Sequence, residues 1–148
     1  MKLVVSFILA VMTAMPLVAQ TQPETVFRTM DNVDLAALKW KYRPVVIFAD
    51  SPDDPAYIEQ MALLHASQEE LSARDVLVIT DTAPDPMSEL RKKLRPRGFM
   101  LVLIGKDGGV KLRKPFPWDV REITRSIDKM PIRQREIRDE KERARADE

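Results

Sequence analysis

The sequence has 148 residues, the size of a single domain, and 45% of it is hydrophobic, so it can bury a core without disulfide or metal staples. Cysteine is absent, which excludes disulfides, thiolate nucleophiles and thiolate metal sites together. A net charge of +1, from 24 Lys and Arg against 23 Asp and Glu, is too small a field to gather nucleic acid or anionic lipid.

The chain begins with Met1-Lys2, runs apolar from Leu3 to Met12, and offers Leu17-Val18-Ala19 as a small-residue cleavage site before Gln20. That pattern predicts a signal peptide over residues 1–19 and a mature protein that is periplasmic or secreted. Thr13 and Pro16 interrupt the run and it is short for a spanning helix, so no stable membrane span is expected once it is removed. Lys2 is the sole charge before Gln20, so cleavage leaves 23 bases facing 23 acids. Residues 20–32 are polar at first, contain Pro23, and read as a loose leader.

Val33 to Trp40 predicts a short helix capped by Asp34, with Val33 stapled onto Leu38. It must stop before Pro44, because a residue preceding proline avoids helical angles. Pro44-Val45-Val46-Ile47-Phe48-Ala49 is a β-branched apolar run and predicts a buried strand. The loop Asp50-Ser51-Pro52-Asp53-Asp54 follows, and Asp54 with Pro55 opens a helix whose apolar stripe is Ile58, Met61, Leu64 or His65, and Leu71. Val76 to Thr80 predicts a third element of the core, a strand parallel to the first because a helix intervenes. Asp85 and Pro86 suggest a cap and first turn for a helix carrying Met87, Leu90 and Leu94, ended by Pro96.

Six apolar residues from Phe99 to Ile104, an Asp107-Gly108 turn, and alternating Val110-Lys111-Leu112-Arg113 predict a hairpin. The uninterrupted run is covered on both faces, and the alternating one is an edge strand whose basic residues discourage pairing with another chain. Asp119 with Glu122 resembles a capping box for a last helix that turns Val120, Ile123, Ile127 and Met130 inward, with Trp118 stapled onto Ile123, until Pro131 interrupts it. Residues 133–148 carry six bases and six acids with almost no apolar side chains, which reads as a solvated helix or a disordered charged tail.

In symbols the domain at 33–132 is α-β-α-β-α-β-β-α, a thioredoxin-like α/β arrangement in which a mixed sheet has helices on both faces. Four segments extend that reading: Trp40 to Ala49, Arg74-Asp75-Val76, Leu103 to Leu112, and Ile127-Asp128-Lys129-Met130-Pro131-Ile132-Arg133-Gln134. Together they resemble the DUF4174 family, which occurs in small exported bacterial proteins and in vertebrate extracellular matrix proteins of the sushi-repeat-containing and coiled-coil-domain types. The resemblance spans Val33 to Arg138 and implies a thioredoxin-like, peroxiredoxin-related domain outside the cytoplasm, with no established biochemical activity.

Where a thioredoxin places Cys-x-x-Cys this chain has Asp53-Asp54-Pro55-Ala56, and where a peroxiredoxin places Thr-x-x-Cys it has Ser51-Pro52-Asp53-Asp54. Gly98 stands before the hairpin where those enzymes put a cis-proline. Without cysteine, thiol exchange and thiol peroxidase activity are excluded.

The best candidate site is then Asp50, Ser51, Asp53 and Asp54 at the start of a helix, with Arg97 on the adjoining basic surface. Purely structural use competes with it, since Asp54 suits a helix cap and two prolines stiffen the turn. The carboxylates could serve a hard cation or a small enzyme, but the spacing lacks the ligand alternation of a calcium loop, so no metal and no cofactor are assigned. His65 reads as a packed residue, because a catalytic base needs an orienting partner. Arg91, Lys92, Lys93, Arg95 and Arg97 read as a solvated helix end, and Trp40 and Trp118 as core or staple residues. The expectation is a redox-inactive module that binds a protein or an envelope component, not nucleic acid.

Overall fold

The computed structural model describes residues 26–147; the expected signal peptide at 1–19 lies outside the described residues. Five strands form one mixed sheet: β1 (Phe27–Thr29), β2 (Arg43–Phe48), β3 (Val76–Asp81), β4 (Met100–Ile104) and β5 (Val110–Lys114), in the spatial order β1-β3-β2-β4-β5. β3 runs parallel to both β1 and β2, with Val45 opposite Val78, and β4 and β5 add an antiparallel hairpin, with Val46 opposite Val102. This is the thioredoxin-like α/β fold that the element order predicted.

The central strands are buried on both faces, and period-2 alternation divides them between two cores. Val45, Ile47, Val76, Val78, Leu101 and Leu103 pack under α2 (Pro55–Ala66), α3 (Gln68–Ser72) and α5 (Val120–Asp128) through Leu64, Leu71, Val120, Ile123 and Ile127. Val46, Phe48, Leu77, Ile79, Val102 and Ile104 face α1 (Leu35–Leu38) and α4 (Glu89–Leu94) through Leu38, Leu90 and Leu94. Each such aliphatic side chain contributes about 1.5–3 kcal/mol on leaving water. No helix among the described residues is long and apolar enough to cross a membrane.

The predicted caps form. Asp34 accepts from the Ala36 amide, Asp54 from the Ala56 and Tyr57 amides, and Asp119 from the Arg121 amide. Gly108 takes φ +81° in the hairpin turn, where its amide donates to the Gly105 carbonyl.

Several expectations change. The leader holds β1, three residues long, too short to show a periodicity and stabilised by pairing with the edge of β3. The Asp85-Pro86 peptide is cis and lies in a turn; Ser88 caps α4 instead, accepting from the Arg91 amide, and Met87 is exposed. On α2, Ile58 is 55% exposed, and fully buried Gln60 takes the inward position. Its amide donates to the Trp118 carbonyl at 3.0 Å and its carbonyl accepts from the Trp118 amide at 2.7 Å, so the polar group is satisfied inside the core. Trp40, expected in the core, is 67% exposed with φ +65°, because the chain reverses at this point between α1 and β2. Glu122 pairs with Arg125 at 2.9 Å. Pro131 starts a helix rather than only ending one: α6 spans Pro131–Ala146, so the charged tail is helical.

Candidate functional site

β2 and β3 are adjacent and parallel, yet the helices that follow them leave to opposite faces, α2 toward one core and α4 toward the other. Chains diverging in this way open a crevice beyond the carboxyl ends of the strands, the usual ligand position in open α/β sheets. The crevice is a groove of about 580 Å³, lined by Asp50 from the loop after β2, Pro84 and Met87 from the loop before α4, Arg91 and Lys92 on α4, and Arg95 to Gly98 on the approach to β4.

Arg91 is its floor. Only 5% exposed, it donates through Nε to Asp81 Oδ1 at 3.0 Å and through Nη2 to the carbonyls of Asp81 and Ala49. The Phe48 ring lies 5.3 Å from its guanidinium carbon. Asp81, equally buried at the end of β3, also accepts from the Ser88 hydroxyl at 2.6 Å and the Ala83 amide at 3.2 Å. Both buried ions are therefore paired and hydrogen-bonded, as low-dielectric burial requires. Nη1 stands apart: its nearest counter-ion is Asp50 Oδ1 at 3.8 Å, beyond hydrogen-bond reach, and Asp50 is 64% exposed.

The candidate residues do not gather as one cluster. Asp50 and Arg97 line the groove together. Asp54 is engaged in capping α2, and the Ser51 hydroxyl accepts from the Asp53 amide at 3.1 Å, which stiffens the loop and leaves Asp53 exposed. Among the described residues no three His, Asp or Glu side chains are grouped so as to hold a metal ion. His65 is exposed and stacks on Phe27, ring centroids 4.0 Å apart.

Arg91 corrects the picture of a uniformly solvated basic helix end. Its neighbours Lys92, Lys93, Arg95 and Arg97 are exposed, whereas Arg91 turns into the protein to meet Asp81. Asp81, Ser88 and Arg91 were missing from the candidate list. The available signal was an Asp ending a buried strand ten residues before an Arg on an apolar helix face, and no spacing rule reads that as a pair.

At the other end of the sheet lies a second ionic network. Arg43, 1% exposed at the start of β2, donates to both Glu136 oxygens at 3.0 and 3.1 Å and to the Arg74 carbonyl at 2.8 Å. Lys106 bridges Glu136 and Asp75, each at 2.7 Å. Arg74 holds Asp128 through two bonds of 2.9 Å, and Arg133 reaches Glu136 and Glu140 at 3.3 and 3.2 Å. The Arg74 hydrogen bonds hold the Asp128 carboxyl below its ordinary range and raise Arg74 in turn. Burial pushes Glu136 up, but Lys106 and Arg43 outweigh it and the net shift is down. All four segments that carry the family resemblance contribute to this joint, which fastens α6 under the sheet.

A central mixed sheet with a cysteine-free loop at the helix start defines a thioredoxin-like domain without thiol chemistry. Residues 34–136 match the family described as Domain of unknown function (DUF4174), and the chain belongs to that family.

Proposed function

We propose that this protein is an exported binding module, a thioredoxin-like scaffold that recognises a protein or an envelope component at the groove beside the Asp50–Pro55 loop. The observation that carries the reading is Arg91: a buried guanidinium fixed by Asp81 and Ala49 at the floor of an open groove, with one nitrogen unspent. A fixed cation at the carboxyl ends of parallel strands is preorganised for recognition, since its ordering cost is met in folding rather than in binding. Export is supported by the basic start, apolar run and Ala19 site of the first residues.

Two measurements test the proposal. Amino-terminal sequencing of protein recovered from the extracytoplasmic fraction of its host should begin near Gln20; an intact Met1 in the cytoplasmic fraction refutes export. Affinity capture from the same fraction, using the protein beside an Arg95→Glu/Arg97→Glu variant of equal circular dichroism, should retain a partner that the variant loses. A partner held equally by both refutes the groove as the binding surface.

A further inference from the structure

The chemistry of what the groove accepts follows from its polar groups, on the reading of that groove as the binding surface. Arg91 presents a guanidinium whose Nε and Nη2 are consumed by Asp81 and the Ala49 carbonyl, so rotamer freedom is already gone. Among the described residues Nη1 has no hydrogen-bond partner, and it is the nitrogen 3.8 Å from Asp50, which lines the groove together with Arg91. The rim adds Arg95 and Arg97, neither side chain paired among the described residues, and Lys92, which pairs with Glu89 at 2.6 Å. Pro84, Met87, Pro96 and Gly98 supply apolar or backbone wall, and a side-chain carbon at Gly98 would meet nothing within 4 Å. Among the described residues the only acid lining the groove is Asp50, mostly exposed and too far from Nη1 for a hydrogen bond.

We infer that the groove is a seat for a single small oxyanionic group, carboxylate or phosphate, with Arg91 Nη1 as its fixed donor and Asp50 as an internal counter-ion that the ligand displaces. A guanidinium nitrogen bonds such oxygens at about 2.7–2.9 Å, closer than Asp50 stands. Arg95 and Arg97 draw the anion in through longer-range attraction, which salt weakens. The apolar wall suits a ligand whose charged group ends an uncharged stem. Asp50, tethered but loosely held, keeps Arg91 partly neutralised when the seat is empty and sets a threshold that weak anions do not pass.

The test is a titration of the ¹⁵N-labelled protein with sodium acetate and, separately, with inorganic phosphate at constant ionic strength, followed by the Arg91 Nε–H signal and the amides of Asp50 and Gly98. Saturable shifts at these positions are expected with at least one of the two anions, and the tighter one identifies the group as carboxylate or phosphate. Asp50→Asn, at an exposed position, should tighten binding about two- to five-fold, the worth of a solvent-exposed ion pair. Arg97→Ser should loosen it by a similar factor. Absence of a saturable Arg91 shift with both anions overturns the inference, and so does an Asp50→Asn affinity equal to or weaker than that of the unaltered protein. Those results would leave untouched a partner captured through Arg95 and Arg97, so failure of the oxyanion seat is separable from failure of the binding module.

Discussion

Replacement of Glu136 by alanine should loosen the protein as a whole, although Glu136 lies in a helix that looks like a solvated tail. Its carboxylate takes both bonds from Arg43 Nη2 and one contact from Lys106 Nζ, and those cations are 1% and 11% exposed. Removing it leaves Arg43 with the Arg74 carbonyl alone, at 2.8 Å. Breaking a fully buried pair costs about 3–5 kcal/mol, because the surviving charge stays desolvated. Glu136 keeps 22% of its surface, and water entering its place would partly rehydrate Arg43, so we expect about 2–3 kcal/mol. For a domain of this size that corresponds to a Tm roughly 8–12 °C lower. Glu136→Gln, which retains an acceptor, should lose about half as much. Thermal unfolding by far-ultraviolet circular dichroism measures both variants. A Tm within about 2 °C of the unaltered protein for Glu136→Ala would refute the view that α6 is fastened by this joint.

Acid should weaken the same joint. Asp128 and Glu136 both have carboxyls held below their ordinary range, by Arg74 in the first case and by Lys106 and Arg43 against burial in the second. Their stabilisation is therefore complete above the unfolded value of about 4 and disappears as pH falls through the lower folded values. A Tm that drops on acidification below about pH 4, with a shallower drop in Asp128→Asn, is the expected profile; identical slopes would count against it. Gln60→Leu should cost about 2 kcal/mol in urea unfolding, since it orphans the amide and carbonyl of Trp118 despite placing an apolar residue in a core position. Ile58→Asn should change stability by less than about 0.5 kcal/mol, since the side chain is exposed; a loss near 2 kcal/mol would return Ile58 to the apolar stripe.

Pattern reasoning succeeds where an element's own residues set its environment. Val45 to Ala49, Val76 to Ile79 and Leu101 to Ile104 are apolar without a break, which signals strands covered on both sides, and all of them are buried. Asp34, Asp54, Asp119 and Gly108 act over two or three residues, so capping and turn chemistry is legible from adjacent letters. Gln60 and Ile58 show the limit of helical periodicity. Both positions fit a plausible face, and the choice fell to a polar side chain because the Trp118 backbone offered it two partners 58 residues away.

The groove was half legible. Asp50 and Arg97 were identifiable because one follows a strand into a helix and the other belongs to a basic run, both local features. Asp81 and Arg91 were not, since a buried ion pair exists only once β3 and α4 are assembled, and either residue alone reads as surface. The charged tail behaves likewise: balanced acids and bases specify a helix or nothing, until Arg43 and Lys106 are brought to Glu136 from two separate segments. By itself the sequence determined the central strands, the order of the main elements, the two-sided sheet and the absence of thiol chemistry, because these follow from short-range patterning and composition, whereas β1 and the start of α6 at Pro131 were decided by tertiary pairing. Tertiary structure decided which charges are buried and where a guanidinium nitrogen is left unspent, because electrostatic pairing depends on distances in space that residues far apart in the chain acquire only on folding.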